Sequence, residues 1–283
     1  MTAVLVTGAS GGIGTAVSLA YARRGADLVL VARSDRDLAA LAQRCRDGGA
    51  ASARVVVADV AEQDGVTDAV AATVRAHGRL DVVVHTAAVL AYGRFEAVPA
   101  QVWDRAVVVG ILGTANVARA VLPRLAEQGG GSLVVVGSVL GEATVPFMSS
   151  YVTGKWAVRG LVRTLRQEAR ATPGVHVALV SPGSIDTAIY RLAGSYVGRT
   201  GRPPPPVYPP QRVAEAVLKV VDGRRATASV SVTNPLIRLG FTLTPWLYDA
   251  LVTPLMRVAG LSRRAVASHP GNVLRPSQDV RER

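Results

Sequence analysis

Three side chains in the middle of the chain are spaced for proton chemistry. Tyr151 and Lys155 stand four residues apart in a stretch, 149–171, that reads as helix. Residues at that spacing project from one helical face. Ser138 lies thirteen residues before Tyr151 and closes the apolar run 132–137. A phenol with its ordinary pKa of about 10 is a poor base near neutral pH. A neighbouring ammonium stabilises the phenolate and lowers that value. Such a tyrosine can give a proton to a developing alkoxide or take one from an alcohol. A serine hydroxyl can hold the oxygen that reacts, and the lysine can also reach a ribose. Alone, Tyr-x-x-x-Lys is an ordinary solvated helix face; its meaning depends on what lies upstream.

Upstream, Ala3-Val4-Leu5-Val6 is a short apolar run that enters Thr7-Gly8-Ala9-Ser10-Gly11-Gly12-Ile13-Gly14. A helical pattern follows, through Val17, Leu19, Ala20 and Tyr21 to Gly25. Strand, glycine-rich turn and helix come in the order a dinucleotide site requires. Without Cβ atoms the turn lets backbone approach a pyrophosphate, and the amides and dipole of the new helix face its charge.

The elements that must position these groups alternate. Residues 27–32, 53–58, 81–85, 132–137 and 175–180 read as further strands, with Ser229–Val232 as a seventh. Helical patterns cover 35–47, 62–77, 149–171 and 212–222; residues 98–128 hold one or two helices with a break near Val107–Gly110. Strands alternating with helices predict an α/β fold, a doubly wound parallel sheet of about seven strands with helices on both faces. The ligand crevice of such a sheet lies beyond the carboxyl ends of its strands, where Ser138 falls. Arg33 follows the second strand, where an acid would bind a free ribose 2′-hydroxyl and an arginine accommodates a 2′-phosphate. That favours NADP(H), with NAD(H) possible if Asp35 or Asp37 serves the ribose instead. The run Arg202–Pro210 cannot be helical and is either a lid over the pocket or a stiff connector.

Composition bounds the rest. With 283 residues, 49% apolar, the chain can bury a large core. The single Cys45 excludes an internal disulfide framework and a cysteine-based zinc site. The amino-terminal strand carries no basic region of a secretory signal, and no uninterrupted apolar run approaches the ~18 residues of a spanning helix, so a cytoplasmic location is the expectation. Most of the net charge of +12 sits in residues 191–283, which carry 14 Lys and Arg against 5 Asp and Glu. This basic excess suits an anionic membrane surface, an acidic partner or a solvated face; no nucleic-acid recognition motif accompanies it. Residues 233–267 form an apolar and basic extension with Trp246 and Tyr248. Two short amphipathic helices there could lie in a membrane interface, cover the pocket mouth or pack on a second subunit. The polar tail 268–283 is expected to be disordered.

Over residues 3–232 the sequence resembles the short-chain dehydrogenase/reductase family, a Rossmann-type fold. The resemblance is carried by Thr7-Gly8-x3-Gly12-x-Gly14, Asp59-Val60, Ser138, Tyr151-x3-Lys155 and Pro182-Gly183-x3-Thr187. It implies that Thr7, Gly8, Ser10, Gly12, Ile13, Gly14, Ala87, Tyr151, Lys155, Pro182 and Gly183 line the cofactor site. It also implies that Asp59 and Val60 hold the adenine, and that Ile185 and Thr187 contact the nicotinamide amide. Family members use NAD or NADP without metal on alcohols and ketones, often as dimers or tetramers. Two departures stand out. His85-Thr86-Ala87-Ala88 replaces the usual Asn-Asn-Ala-Gly, with His85 read as a packing residue, and Gly110 stands where the family has an Asn that holds a relay water. The sequence reading is an NADP(H)-dependent oxidoreductase of a small apolar ketone and its secondary alcohol, with Ser138, Tyr151 and Lys155 catalytic. The alternative is a non-catalytic NAD(P)-binding sensor or scaffold.

Overall fold

Short runs of Val, Leu and Ala become strands because each is covered on both sides. The computed structural model describes residues 1–276. Strands β1 (Ala3–Thr7), β2 (Asp27–Ala32), β3 (Ser52–Val57), β4 (Val82–His85), β5 (Gly131–Val136), β6 (Val175–Ser181) and β7 (Thr227–Ser229) build one parallel sheet. Its order is β7-β6-β5-β4-β1-β2-β3. The chain lays β1, β2 and β3 to one side and returns to place β4 on the other. The switch point between β1 and β4 opens the crevice at their carboxyl ends.

Helices α1 (Gly12–Ala22), α2 (Asp35–Asp47), α3 (Gln63–His77), α4 (Ala100–Val107), α5 (Gly113–Glu127), α6 (Ser149–Glu168) and α7 (Pro210–Asp222) connect the strands. Successive strand residues point to opposite faces. Val4, Val6, Leu28 and Leu30 therefore pack under α1, α2 and α7 with Leu38 and Val217. Leu5, Val29, Val83 and Leu133 pack on the other face with Val66, Val121 and Val158. Each such side chain, fully buried, contributes about 1.5–3 kcal/mol of transfer free energy.

No loop separates α4 from α5. The break expected near Val107–Gly110 is a π-turn, Val108–Leu112. The continuous helix Ala100–Glu127 is, by length and composition alone, long and apolar enough to cross a bilayer, which the sequence expectation did not anticipate. Polar Asn116 and Arg119 interrupt the apolar run, while Val109, Val117, Val121 and Leu125 bury one side of it against the sheet.

The extension forms α8 (Asn234–Leu243) and α9 (Pro245–Leu255), and then Leu261–Ala265 pairs antiparallel with Arg199–Gly201. On their inner side Val252 and Met256 join Tyr92, Met148 and Tyr151 in a third apolar cluster. The Tyr248 hydroxyl donates to the Thr144 carbonyl at 2.8 Å. Their outer side is bare: Leu236, Leu239, Leu243, Trp246, Leu251 and Leu255 are exposed. The Arg202–Pro210 stretch holds its place through Val207–Tyr208, which pairs with Ser184–Ile185. The tail 268–283, expected to be disordered, is ordered over 268–276. Residues 266–276 fold back along the molecule, and Val273 is fully buried. The remainder of that expectation, 277–283, lies outside the described residues.

Candidate active site

The glycine turn is dictated by contact. Gly8 has φ +69°, and a Cβ there would lie 2.6 Å from the Ala87 amide nitrogen. A Cβ on Gly14 would lie 2.2 Å from the Gly8 carbonyl oxygen. Gly11 caps α1 without any side-chain hydrogen bond, so the first amides of the helix face the cleft uncapped. A bare cradle and an unsatisfied helix N-terminus fit a pyrophosphate. Gly8, Ser10, Gly12, Ile13 and Gly14 line this part of the cleft. Thr7, expected with them, does not. It is buried beneath the turn, and its hydroxyl lies 2.7 Å from Nδ1 of His85.

At the end of the cleft expected to take adenosine stand Arg33, Asp37, Asp59 and Val60. The Arg33 guanidinium donates to the carbonyls of Asn272 (2.7 Å) and Val273 (3.3 Å). Burial works against its charge and Asp59 supports it. One Asp59 oxygen accepts from the Ala61 amide at 3.0 Å and the other pairs with Arg105. Ala87 lines the floor of the cleft, and Pro182, Gly183, Ile185 and Thr187 line its far wall.

Between those walls stand Ser138, Tyr151 and Lys155. Ser138 follows β5 with an extended backbone, and its Oγ accepts from the Leu140 amide at 3.1 Å. One turn of α6 separates Tyr151 from Lys155, whose Nζ donates to the Val136 carbonyl at 2.9 Å. Burial pushes Lys155 down to about 8. Burial also pushes the Tyr151 phenol well above its ordinary value, with Tyr190 adding to the rise and a hydrogen bond from Ser138 opposing it. The sequence expectation, a phenol lowered by the ammonium, runs the other way; in this cleft burial is the largest influence on Tyr151.

A family model described as short chain dehydrogenase matches residues 2–195. The chain belongs to the short-chain dehydrogenase family. An uncharacterized oxidoreductase of Staphylococcus saprophyticus is 31% identical over 185 residues, covering 65% of this chain and 79% of that one. An alcohol dehydrogenase from the archaeon Thermococcus sibiricus, complexed with 5-hydroxy-NADP, superposes with a TM-score of 0.69 at 29% identity, over 81% of this chain and 94% of that one. Levodione reductase does so with a TM-score of 0.72 at 25% identity, over 83% and 98%. This short-chain dehydrogenase is an oxidoreductase of a family that binds NAD(P).

Within that family the two departures have a structural account. His85 is buried as expected, with Nε2 at 3.1 Å from the Thr114 hydroxyl. Thr114 in turn donates to the Gly110 carbonyl at 2.7 Å. Since Thr114 spends its proton on Gly110, it accepts from His85, which fixes the Nε2–H tautomer and leaves Nδ1 to accept from Thr7. Burial pushes His85 down to about 3, so the ring is neutral at physiological pH. At Gly110 a Cβ would meet only the Gly154 Cα, at 3.7 Å. The missing side chain therefore leaves room rather than relieving a clash.

Sequence reasoning missed three groups. Tyr190 lines the cleft near Tyr151, and nothing in its irregular surroundings announces it. Asn272 and Pro276 line the same cleft from a segment expected to be disordered. The Arg202–Pro210 stretch, conversely, contributes no lining residue among those described, which favours the connector over the lid.

Proposed function

We propose that this short-chain dehydrogenase interconverts an apolar ketone and its secondary alcohol with NADP(H). The observation that carries the reading is the convergence of Ser138, Tyr151 and Lys155 in a cleft whose other end is the uncapped glycine turn. Reduction consumes one ketone, one hydride and one proton, and leaves the alcohol and the oxidised cofactor. A nicotinamide held in this cleft would supply the hydride. Ser138 orients the carbonyl oxygen, and the Tyr151 hydroxyl delivers the proton to it. Lys155 stabilises the phenolate that remains. Arg33 is the group for the 2′-phosphate, with three N–H donors left beyond its two tail contacts. Val89, Ile189, Tyr190 and Leu192 give the substrate end an apolar wall, which supports an apolar substrate.

Two further assignments belong to this reading. The bare face of α8 and α9 fits the interfacial layer of an anionic membrane. Arg238, Arg257, Arg263 and Arg264 accompany it against the lone acid Asp249, and its inner side touches the cluster holding Tyr151. The protein would then be cytoplasmic and peripheral to the membrane. Its assembly is a homodimer or homotetramer, as members of the family commonly form oligomers.

Fluorescence titration with NADPH and NADH tests the core of the proposal. NADPH binding at least about tenfold tighter, roughly 1.4 kcal/mol, is expected. Equal affinities would remove Arg33 from its role. Binding of neither would overturn the reading in favour of a non-catalytic protein.

A further inference from the structure

Arg33 is held from the far end of the chain. Residues 266–276 run as a strap along the rim of the cleft. His269 exchanges two backbone hydrogen bonds with Ser195, at 2.8 and 3.0 Å, and the Asn272 amide donates to the Leu192 carbonyl at 2.9 Å. Gly271 sits at φ +57°, where a Cβ would lie 2.3 Å from the Leu192 oxygen, so the strap passes closer than any side chain permits. Val273 is driven into the same core layer as Val60 and Val102. These anchors deliver the carbonyls of Asn272 and Val273 to the Arg33 guanidinium.

The strap also brings an unmatched polar atom. Asn272 Oδ1 is buried and has no hydrogen-bond partner. Among the described residues it is the one cleft-lining side chain with such an atom. An acceptor stripped of water is costly unless a donor meets it. Asn272 lines the cleft together with Arg33, Asp37 and Asp59, at the end assigned to adenosine. In NADP(H) the adenine amino group and the ribose 3′-hydroxyl are the donors of that half.

We propose that the strap is a wall of the cofactor site. Asn272 recognises the adenosine half through its side-chain amide, and the strap's carbonyls fix Arg33 for the 2′-phosphate. The inference rests on the NADP(H) reading above. It adds a recognition residue and a positioning element that the glycine turn does not provide.

The test titrates the full-length protein and two variants with 2′,5′-ADP, nicotinamide mononucleotide, NADPH and NADH. Asn272→Ala should weaken 2′,5′-ADP and NADPH about fivefold, the loss of one hydrogen bond, and leave the mononucleotide unchanged. Gly271→Val, which displaces the strap, should also cut the preference for NADPH over NADH about tenfold as Arg33 loosens. Unchanged 2′,5′-ADP affinity in Asn272→Ala, even with a lowered Tm, would overturn the proposal and leave the strap a purely structural tie. Tighter binding in Gly271→Val would overturn it too, since the strap would then compete with the phosphate. Failure of the wild-type protein to bind any of the four would instead overturn the cofactor reading, and the strap proposal with it.

Discussion

Lys155 Nζ stands 5.5 Å from the centre of the Tyr151 ring. The ammonium is thus close enough to stabilise a phenolate, yet burial holds it near the limit of its charged range, at about 8. Carbonyl reduction should therefore be flat at lower pH and decline as the pH rises through about 8, because Lys155 loses its proton. A kcat/KM profile in the reducing direction checks this, and Lys155→Met should abolish that limb while lowering the plateau. Stability moves the other way. The unfolded lysine keeps its proton to about 10.4, so this group makes folding more favourable as pH rises between about 8 and that value.

Tyr151→Phe removes one hydroxyl from a side chain that the third apolar cluster still packs. Turnover should fall by about 10³-fold, roughly 4 kcal/mol of transition-state stabilisation. NADPH affinity should stay within about twofold of the wild type, a few tenths of a kcal/mol. Steady-state kinetics beside a nucleotide titration separate the two effects. Full activity in this variant would remove the proposed mechanism.

His85 is neutral in the fold and keeps an ordinary pKa when unfolded. The unfolded chain therefore binds a proton below about 6.5, which the folded protein refuses down to about 3. Stability linked to this ring is complete above the unfolded value and is lost as pH falls between the two. Urea unfolding at pH 7 and pH 5 should show a smaller acid loss in His85→Asn than in the wild type. The variant should also be less stable at pH 7, by about 1–3 kcal/mol, because buried Thr7 and Thr114 lose partners.

The bare face of α8 and α9 predicts sedimentation with phosphatidylglycerol vesicles and little with phosphatidylcholine. Trp246→Ser with Leu251→Ser should reduce the bound fraction without changing Tm, since both side chains are exposed. Equal sedimentation of the double variant would assign the face to another occupant, such as a second copy of the chain.

The sheet was legible because its evidence is local. Val-rich runs, a glycine turn and the Tyr151–Lys155 spacing each occupy a few adjacent residues. What stayed hidden depends on distance or on dryness. Arg33 and Asn272 are 239 positions apart, and the strap meets Arg33 through backbone carbonyls, which carry no residue signature. Thr7 belongs to the glycine motif by position, but its buried hydroxyl turns to His85. The direction of the Tyr151 shift follows from how the fold packs around the phenol, which no spacing reveals. The break between α4 and α5 was visible as a weak point; its resolution by a π-turn rather than a loop was not.

The bond between Arg33 and Asn272 also sets an order of events during synthesis. The glycine turn and β1 to β5 leave the ribosome long before residue 272, so the turn can form while the Arg33 end of the cleft still lacks one wall. The cleft becomes whole only after the strap has docked, one of the longest loop closures in the fold. A nascent chain, or one cut after Ala265, can thus own the complete seven-stranded sheet and still carry an unfinished cleft.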